Sequence, residues 1–336
     1  MDRDVLIEVD DLSVSFPSRQ GPIRAVRNVS FSIRRGEILA LVGESGSGKS
    51  TTGLAMMRLL QTAKLSGSIR LTRKNDQVSD LIQLGDRDIR GVRGNDIAMI
   101  FQEPMSSLDP VFTIGTQMVE ATRVHQKMSR REAREAAARS LEAVGLPDPE
   151  QFMVRYQHQL SGGMRQRVMI AMSLASHPSL LIADEPTTAL DVTIQAQIVD
   201  HLKRLQKQTG MAILFITHNL GLVAEIADRA MVMYAGQIVE SGEVDELFQR
   251  PRMPYTQGLL QSLPRLGRKR ERRDRIAPIP GSLPSPLDLP TGCTFHPRCS
   301  HFVGGRCDAT LPALDLCGEA HHVRCVRWDE LAPGAA

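Results

Sequence analysis

Residues Ile33 to Val42 read as a buried strand that runs directly into Gly43-Glu44-Ser45-Gly46-Ser47-Gly48-Lys49-Ser50. From Lys49 to Leu60 the pattern turns helical, so strand, glycine loop and helix follow one another without interruption. Few architectures accept that order. Glycines at 43, 46 and 48 let the loop wrap with its backbone N–H groups pointing inward, those of Glu44, Ser45 and Ser47 among them. With the positive end of the following helix, these donors suit the β- and γ-phosphates of a nucleotide. Lys49 adds a mobile point charge, Ser50 a hydroxyl ligand for Mg²⁺, and Thr51 a further hydroxyl at the α-phosphate.

Two later segments complete an ordered triple. In Leu181-Ile182-Ala183-Asp184-Glu185, Asp184 ends an apolar strand, where its carboxylate can hold Mg²⁺ through water. The adjacent Glu185 is the natural general base for an attacking water. Between the loop and this strand lies Leu160-Ser161-Gly162-Gly163-Met164-Arg165-Gln166-Arg167, an exposed helix start with a hydroxyl at its head. A lone phosphate-binding loop has no use for such an element; a nucleotide site completed by a second subunit does. His218 ends the following strand, Phe215-Ile216-Thr217-His218, at the edge where it can reach a γ-phosphate.

The wider pattern alternates strands with helices. Leu6 to Val14 alternates as an edge strand would, and a mostly helical stretch between Gln102 and Gln159 contains Ser129 to Val144, with Ser129 as N-cap. A helix from Ser161 to Ser176 leads to strand Leu180–Ala183 and a helix over Ile194 to Gln208. Strand Ala212–Thr217, helix Leu220 to Ala227 and a hairpin around Ala235-Gly236 complete the series. A parallel α/β core with a helical insertion accounts for this order. Beyond about residue 245 the character changes. The stretch from Arg265 to Arg275 is basic, seven Arg or Lys against two acids, and is followed by Pro278, Pro280, Pro284, Pro286 and Pro290. This reads as an extended, solvated connector, with contact to anionic lipid or a partner as the other reading of the basic run.

Charge and hydropathy narrow the functional classes. A formal charge of +3 does not imply strong nucleic-acid binding. No run approaches the ~20 apolar residues of a membrane helix, and Met1-Asp2-Arg3-Asp4 lacks a signal-peptide pattern. The expectation is a cytoplasmic protein that meets a membrane only through other subunits.

With these motifs in place, the chain resembles an ABC-type ATPase over residues 5 to about 245. The resemblance implies a P-loop fold with a RecA-like parallel-sheet core, an antiparallel β subdomain and a helical signature subdomain over about 102–176. It implies that Ser161, Gly162 and Gly163 cap the γ-phosphate held by an opposing subunit. Gln102 would sense Mg²⁺ and transmit to the membrane domain, Ala189-Leu190-Asp191 would cross the dimer interface, and Phe16 would stack on adenine, its other reading being a core residue. The segments Phe101-Gln102-Glu103-Pro104-Met105-Ser106-Ser107-Leu108-Asp109-Pro110 and His158 to Arg167 resemble the oligopeptide/dipeptide permease ATPases, as does Gly292-Cys293 through Pro297-Arg298-Cys299 in the tail. That subgroup implies an ATP- and Mg²⁺-dependent bacterial importer of di- or oligopeptides, peripheral at the cytoplasmic face of the inner membrane. Its partners would be two transmembrane permease subunits, a periplasmic or extracellular substrate-binding protein, and a second ATPase subunit, either related or a copy of this chain. Nickel or another small solute, export, and a soluble ATPase acting on nucleic acid are the alternatives. The expected division is an ATPase domain over 1–249, a connector over 250–290 and a Cys-rich extension over 291–336.

Every cysteine lies in that extension: Cys293, Cys299, Cys307, Cys317 and Cys325. Disulfides are unexpected in a cytoplasmic protein, and clustering suggests metal, yet neither the close pairs of zinc sites nor ferredoxin spacing is present. Spacing leaves iron–sulfur, zinc and unligated thiols open, with His296, His301, His321 and His322 as further zinc ligands. The family resemblance implies a [4Fe–4S] cluster on Cys293, Cys299, Cys307 and Cys325, with Cys317 supernumerary.

Overall fold

Three runs carry apolar residues without alternation: ILALV at 38–42, LLIAD at 180–184 and AILFIT at 212–217. Each is a strand buried along its whole length, as parallel sheets covered on both faces require. The structure is a computed structural model that describes residues 4–102, 108–187, 191–262 and 279–331. The basic run at 265–275, Pro278, most of the FQEPMSSLDP stretch and the Ala189-Leu190 pair lie outside the described residues.

In chain order the first elements are β1 (Val5–Phe16), β2 (Ile23–Arg34), β3 (Ile38–Val42), α1 (Lys49–Met56), β4 (Lys64–Thr72), β5 (Val78–Asp80), α2 (Asp86–Val92) and β6 (Ile97–Ile100). Next come α3 (Ile114–His125), α4 (Arg130–Ala143), α5 (Pro149–Met153), α6 (Gly162–Leu174), β7 (Leu180–Asp184), α7 (Val192–Thr209) and β8 (Ala212–Thr217). The remainder is α8 (Leu220–Ile226), β9 (Arg229–Tyr234), β10 (Gln237–Glu243), α9 (Val244–Gln249), α10 (Pro254–Gln261), β11 (Asp315–Leu316) and β12 (His322–Val323). Two compact units emerge. One comprises Met1–Glu8, Ser32–Ile38 and Ile69–Ile216; the other comprises Val9–Phe31, Leu39–Ser68 and Thr217–Ala336.

In the first unit β6, β7 and β8 run parallel, with Ile97 opposite Leu180 and Asp184 opposite Ile216. The helical stretch expected between Gln102 and Gln159 is α3, α4 and α5 plus a 3-10 turn. Ser129 caps α4: its hydroxyl accepts from the Glu132 N–H while the Glu132 carboxylate accepts from the Ser129 N–H, a reciprocal arrangement that satisfies two otherwise orphaned donors.

In the second unit β3 and β9 are parallel, Leu39 opposite Arg229 and Val42 opposite Val232. The β9–β10 hairpin turns on Ala235 and Gly236, both at positive φ, the geometry a two-residue turn needs to match strand twist. The tail adds β12 antiparallel to β10 and β11 to β12, covering what would be an open strand edge.

Two expectations are corrected. Residues 33–42 are not one strand: β2 ends at Arg34, and Arg35-Gly36, with Gly36 at φ +67, turns the chain before β3 begins. Nor is β1 an edge strand, because the antiparallel sheet has the order β2-β1-β4-β5. Alternation records one buried face, and an inner strand of a one-sided sheet alternates just as an edge strand does.

Candidate nucleotide site

The glycine loop lies in the second unit. After β3 the chain enters the loop at Gly43, where a Cβ would stand 2.2 Å from the carbonyl oxygen of Met233 and 2.8 Å from Ser47 Oγ. At Gly48, φ is +106 and a Cβ would lie 2.6 Å from the Ala25 carbonyl oxygen. Backbone is packed against both positions, so only glycine fits. Gly48 is also the N-cap of α1, which has no side-chain cap and no acid in its first turn; its N-terminal donors and positive dipole end therefore suit an anion. Lys49, 5% exposed, folds back over the loop, its Nζ donating to the carbonyls of Gly43 at 2.8 Å and Glu44 at 2.9 Å. The Thr52 hydroxyl donates to the Gly48 carbonyl at 3.0 Å. Phe16, half-buried, ends β1 in this unit, and His218, exposed, follows β8.

The loop is held from behind by residues that the motifs do not announce. Tyr255 Oη accepts from the Glu44 N–H at 3.0 Å. The Glu44 carboxylate forms a forked pair with Arg298, Nη1 to Oε2 at 2.7 Å and Nη2 to Oε1 at 2.9 Å. Burial pushes the Tyr255 hydroxyl well above its ordinary range. Hydrogen bonding to Glu44 raises the Arg298 guanidinium further still.

Asp184 and Glu185 lie in the first unit. Asp184, 3% exposed, ends β7. Glu185 follows at φ +45, a region that side chains other than glycine occupy only when their surroundings hold them there. Its N–H donates to the Ile216 carbonyl at 2.9 Å, and its Oε2 accepts from the Gln102 amide at 3.3 Å. The structure thus brings Gln102 to the residue expected to act as base.

The same unit holds the signature segment. Ser161 is the N-cap of α6, its Oγ accepting from the Met164 N–H at 3.4 Å. Gly162 opens the helix, and a Cβ on Gly163 would sit 3.2 Å from Ile194 Cγ2. Asp191 caps α7, Oδ1 accepting from the Ile194 N–H at 3.0 Å. Gln166, 2% exposed, donates to the Pro186 carbonyl at 2.6 Å; no motif rule singles it out beyond its place in the signature run.

Within the second unit, the glycine-lined loop, the Lys49 ammonium and the N-terminal donors of α1 form a donor set suited to the phosphates of a nucleotide; within the first, the carboxylate of Asp184 is the kind of oxygen donor that a hard cation such as Mg²⁺ takes. The tail does not suit a metal. Among the described residues, no group of three or more His, Cys, Asp or Glu could hold a metal ion, which overturns the expected iron–sulfur cluster on Cys293, Cys299, Cys307 and Cys325. These residues are free cysteines bordering a cavity of about 20 Å³, room for about one water. Burial pushes the thiols of Cys293, Cys299 and Cys325 up, the last to about 11, favouring the protonated form over the thiolate a metal needs.

Comparison with known proteins settles the family. The ABC transporter family model matches residues 26–188, and the model of the oligopeptide/dipeptide transporter C-terminal region matches 239–307. The dipeptide transport ATP-binding protein of Escherichia coli is 47% identical over 95% of this chain and 96% of its own length. This chain belongs to the ABC transporter ATP-binding subunits of the oligopeptide/dipeptide permease family. Within that family, the oligopeptide transport ATP-binding protein of Bacillus subtilis is 48% identical over 97% of each chain, and a candidate peptide import ATP-binding protein of Brucella abortus is 53% identical over 99% of this chain and all of its own. Among solved structures, a dimeric ATP-binding cassette in a post-hydrolysis state with ADP and Pi matches 71% of this chain and 99% of its own, at 27% identity and a TM-score of 0.63. CbiO1 of Clostridium perfringens, at 28% identity and a TM-score of 0.61, matches 74% of this chain and 92% of its own.

Proposed function

We propose that this ABC ATPase subunit hydrolyses ATP to drive the import of di- or oligopeptides. The near-full-length identity to peptide-transport ATP-binding proteins carries this reading. It is supported by the match of the C-terminal region, which runs from 239 to 307, across the connector inferred at 250–290 into the Cys-bearing extension inferred at 291–336. The cassette match, 26–188, lies inside the ATPase domain inferred at 1–249.

The proposed roles rest on motif position and are supported by the contacts within each unit. Residues 43–51 bind the phosphates, with Lys49 supplying charge and Gly43, Gly46 and Gly48 the close approach of backbone. Phe16 stacks on adenine. Ser50, Asp184 and, through its amide oxygen, Gln102 would hold Mg²⁺, which polarises the phosphoryl oxygens. Glu185 takes the proton of the attacking water, with Gln102 orienting its carboxylate and His218 facing the γ-phosphate. Ser161, Gly162, Gly163 and Asp191 serve the site of an opposing ATPase, so two subunits close head to tail around ATP. That closure moves two transmembrane permease subunits, to which a substrate-binding protein delivers the peptide. No described helix is long and apolar enough to cross a membrane; the proposed place of the subunit is the cytoplasmic face, docked on those permeases.

Deleting the gene and measuring uptake of a radiolabelled dipeptide tests this reading. Uptake is expected to vanish and to return with the wild-type chain but not with Lys49→Ala. Unchanged peptide uptake with lost nickel uptake would move the assignment to the metal importers of the subgroup.

A further inference from the structure

The residue after the first glycine of the phosphate loop is an acid, Glu44. A carboxylate on a loop that receives a polyanion is electrostatically adverse unless a cation offsets it. The cation comes from a point 254 residues further along the chain: Arg298, in the Cys-rich tail, grips Glu44 through both carboxylate oxygens at 2.7 and 2.9 Å. The Arg298 side chain is only 5% exposed and that of Glu44 30%, so solvent screens the pair weakly.

Arg298 is itself held in place. Its Nε donates to the Pro280 carbonyl at 2.8 Å, and its guanidinium carbon lies 5.8 Å from the ring centre of Tyr234 and 6.0 Å from that of Phe295. Those two rings meet edge to face at 5.3 Å, and Tyr255 packs on Tyr234 at 4.7 Å. Glu44 is therefore pinned at three points: the carboxylate by Arg298, the N–H by Tyr255, the carbonyl by Lys49. Two of the three anchors come from beyond β10.

We propose that Arg298 is a positioning residue of the nucleotide site: it neutralises Glu44 and fixes the first turn of the phosphate loop, so that ATP affinity depends on the folded state of the C-terminal extension. The inference rests on the reading of residues 43–51 as the ATP-binding loop. A planar two-pronged donor is required, which Lys does not replace.

The test is a double-mutant cycle on the full-length chain, with equilibrium binding of ATP in the presence of Mg²⁺ as readout. Arg298→Ala is expected to weaken binding about tenfold in the wild-type background. In a Glu44→Gln background, where no charge is left to neutralise, the same substitution should change affinity less than about twofold. Arg298→Lys should recover little of the loss. Arg298→Ala binding ATP as tightly as the wild type would overturn the proposal. So would an equal loss in both backgrounds, which would make Arg298 a scaffold residue of the tail. Should Arg298→Ala fail to fold, Arg298→Gln, which keeps a polar side chain over Tyr234 and Phe295, is read through the same cycle. Failure of the wild-type chain to bind ATP would strike the loop assignment instead, and is scored separately from the cycle.

Discussion

Gln166 donates to the carbonyl of Pro186 at 2.6 Å, joining the second turn of the signature helix to the residue that follows Glu185. Gln166 is 2% exposed and Pro186 is buried, so water is a poor alternative partner for either group. A change at the signature helix thus has a direct hydrogen-bonded route to the backbone that carries Glu185, the proposed base.

Gln166→Ala leaves that carbonyl buried and unpaired, at a cost of about 1–3 kcal/mol. Chemical denaturation should register the loss, and steady-state phosphate release should fall as well, because Glu185 is held at positive φ only by its surroundings. A destabilised variant with unaltered turnover would confine Gln166 to scaffolding.

The two glycines at 46 and 48 predict unequal penalties. A Cβ at 48 meets the backbone oxygen of Ala25 at 2.6 Å, whereas at 46 the nearest atom is the side-chain Leu283 Cδ2 at 3.9 Å, an ordinary contact. Both sit at positive φ, so Gly46→Ala carries the strain of a left-handed residue, of the order of 1–2 kcal/mol. Gly48→Ala carries that strain plus a clash that the sheet cannot relieve. ATP binding by calorimetry should fall at least tenfold more for Gly48→Ala; the reverse order would contradict the loop geometry.

How far the sequence predicts this molecule depends on how local the determinant is. The glycine loop, the Ser129 cap and the Ala235-Gly236 turn are set by residues a few positions apart, and each was legible. The break at Arg35-Gly36 does carry a turn signal, a glycine among charged residues in Arg34-Arg35-Gly36-Glu37, but the apolar residues on either side, Ile33 and Ile38, read as one continuous run. β11 and β12, of two residues each, are shorter than any pattern. The Glu44–Arg298 pair spans 254 residues, and nothing in composition or spacing couples the two. The cysteines misled for a related reason: their density suggested a metal, but density along the chain does not fix how thiols are oriented or whether burial leaves them protonated.

Cys317 predicts a pH dependence. Burial first, then the negative charge of Glu240, pushes its thiol up from 9.0 to about 11, and its Sγ donates to the His321 carbonyl at 3.3 Å. Between those values the folded state keeps a proton that the unfolded state releases. The contribution to stability is therefore fully present below about 9 and is lost as pH rises toward 11. The denaturation midpoint should decline across that window, and decline less steeply in Cys317→Ala. Equal slopes for the two proteins would remove Cys317 from the account.

Glu185→Gln separates binding from hydrolysis. The amide matches the carboxylate in shape, and the N–H bond to Ile216 at 2.9 Å is backbone, so the positive-φ turn should survive the change. What disappears is the capacity to accept a proton from water. Loss of a general base costs roughly 10²–10⁴ in rate, while the phosphate loop and the signature face, each built from other residues, still bind ATP. Phosphate release should therefore fall by that factor as ATP-bound dimers accumulate, visible as a doubling of mass in light scattering with ATP and Mg²⁺. Turnover at the wild-type rate would dismiss Glu185 as the base. A slow enzyme that stays monomeric with ATP would instead locate the defect in closure, and the contact between Gln102 and Glu185 at 3.3 Å would be the first place to look, since that amide loses its charged acceptor in the same substitution.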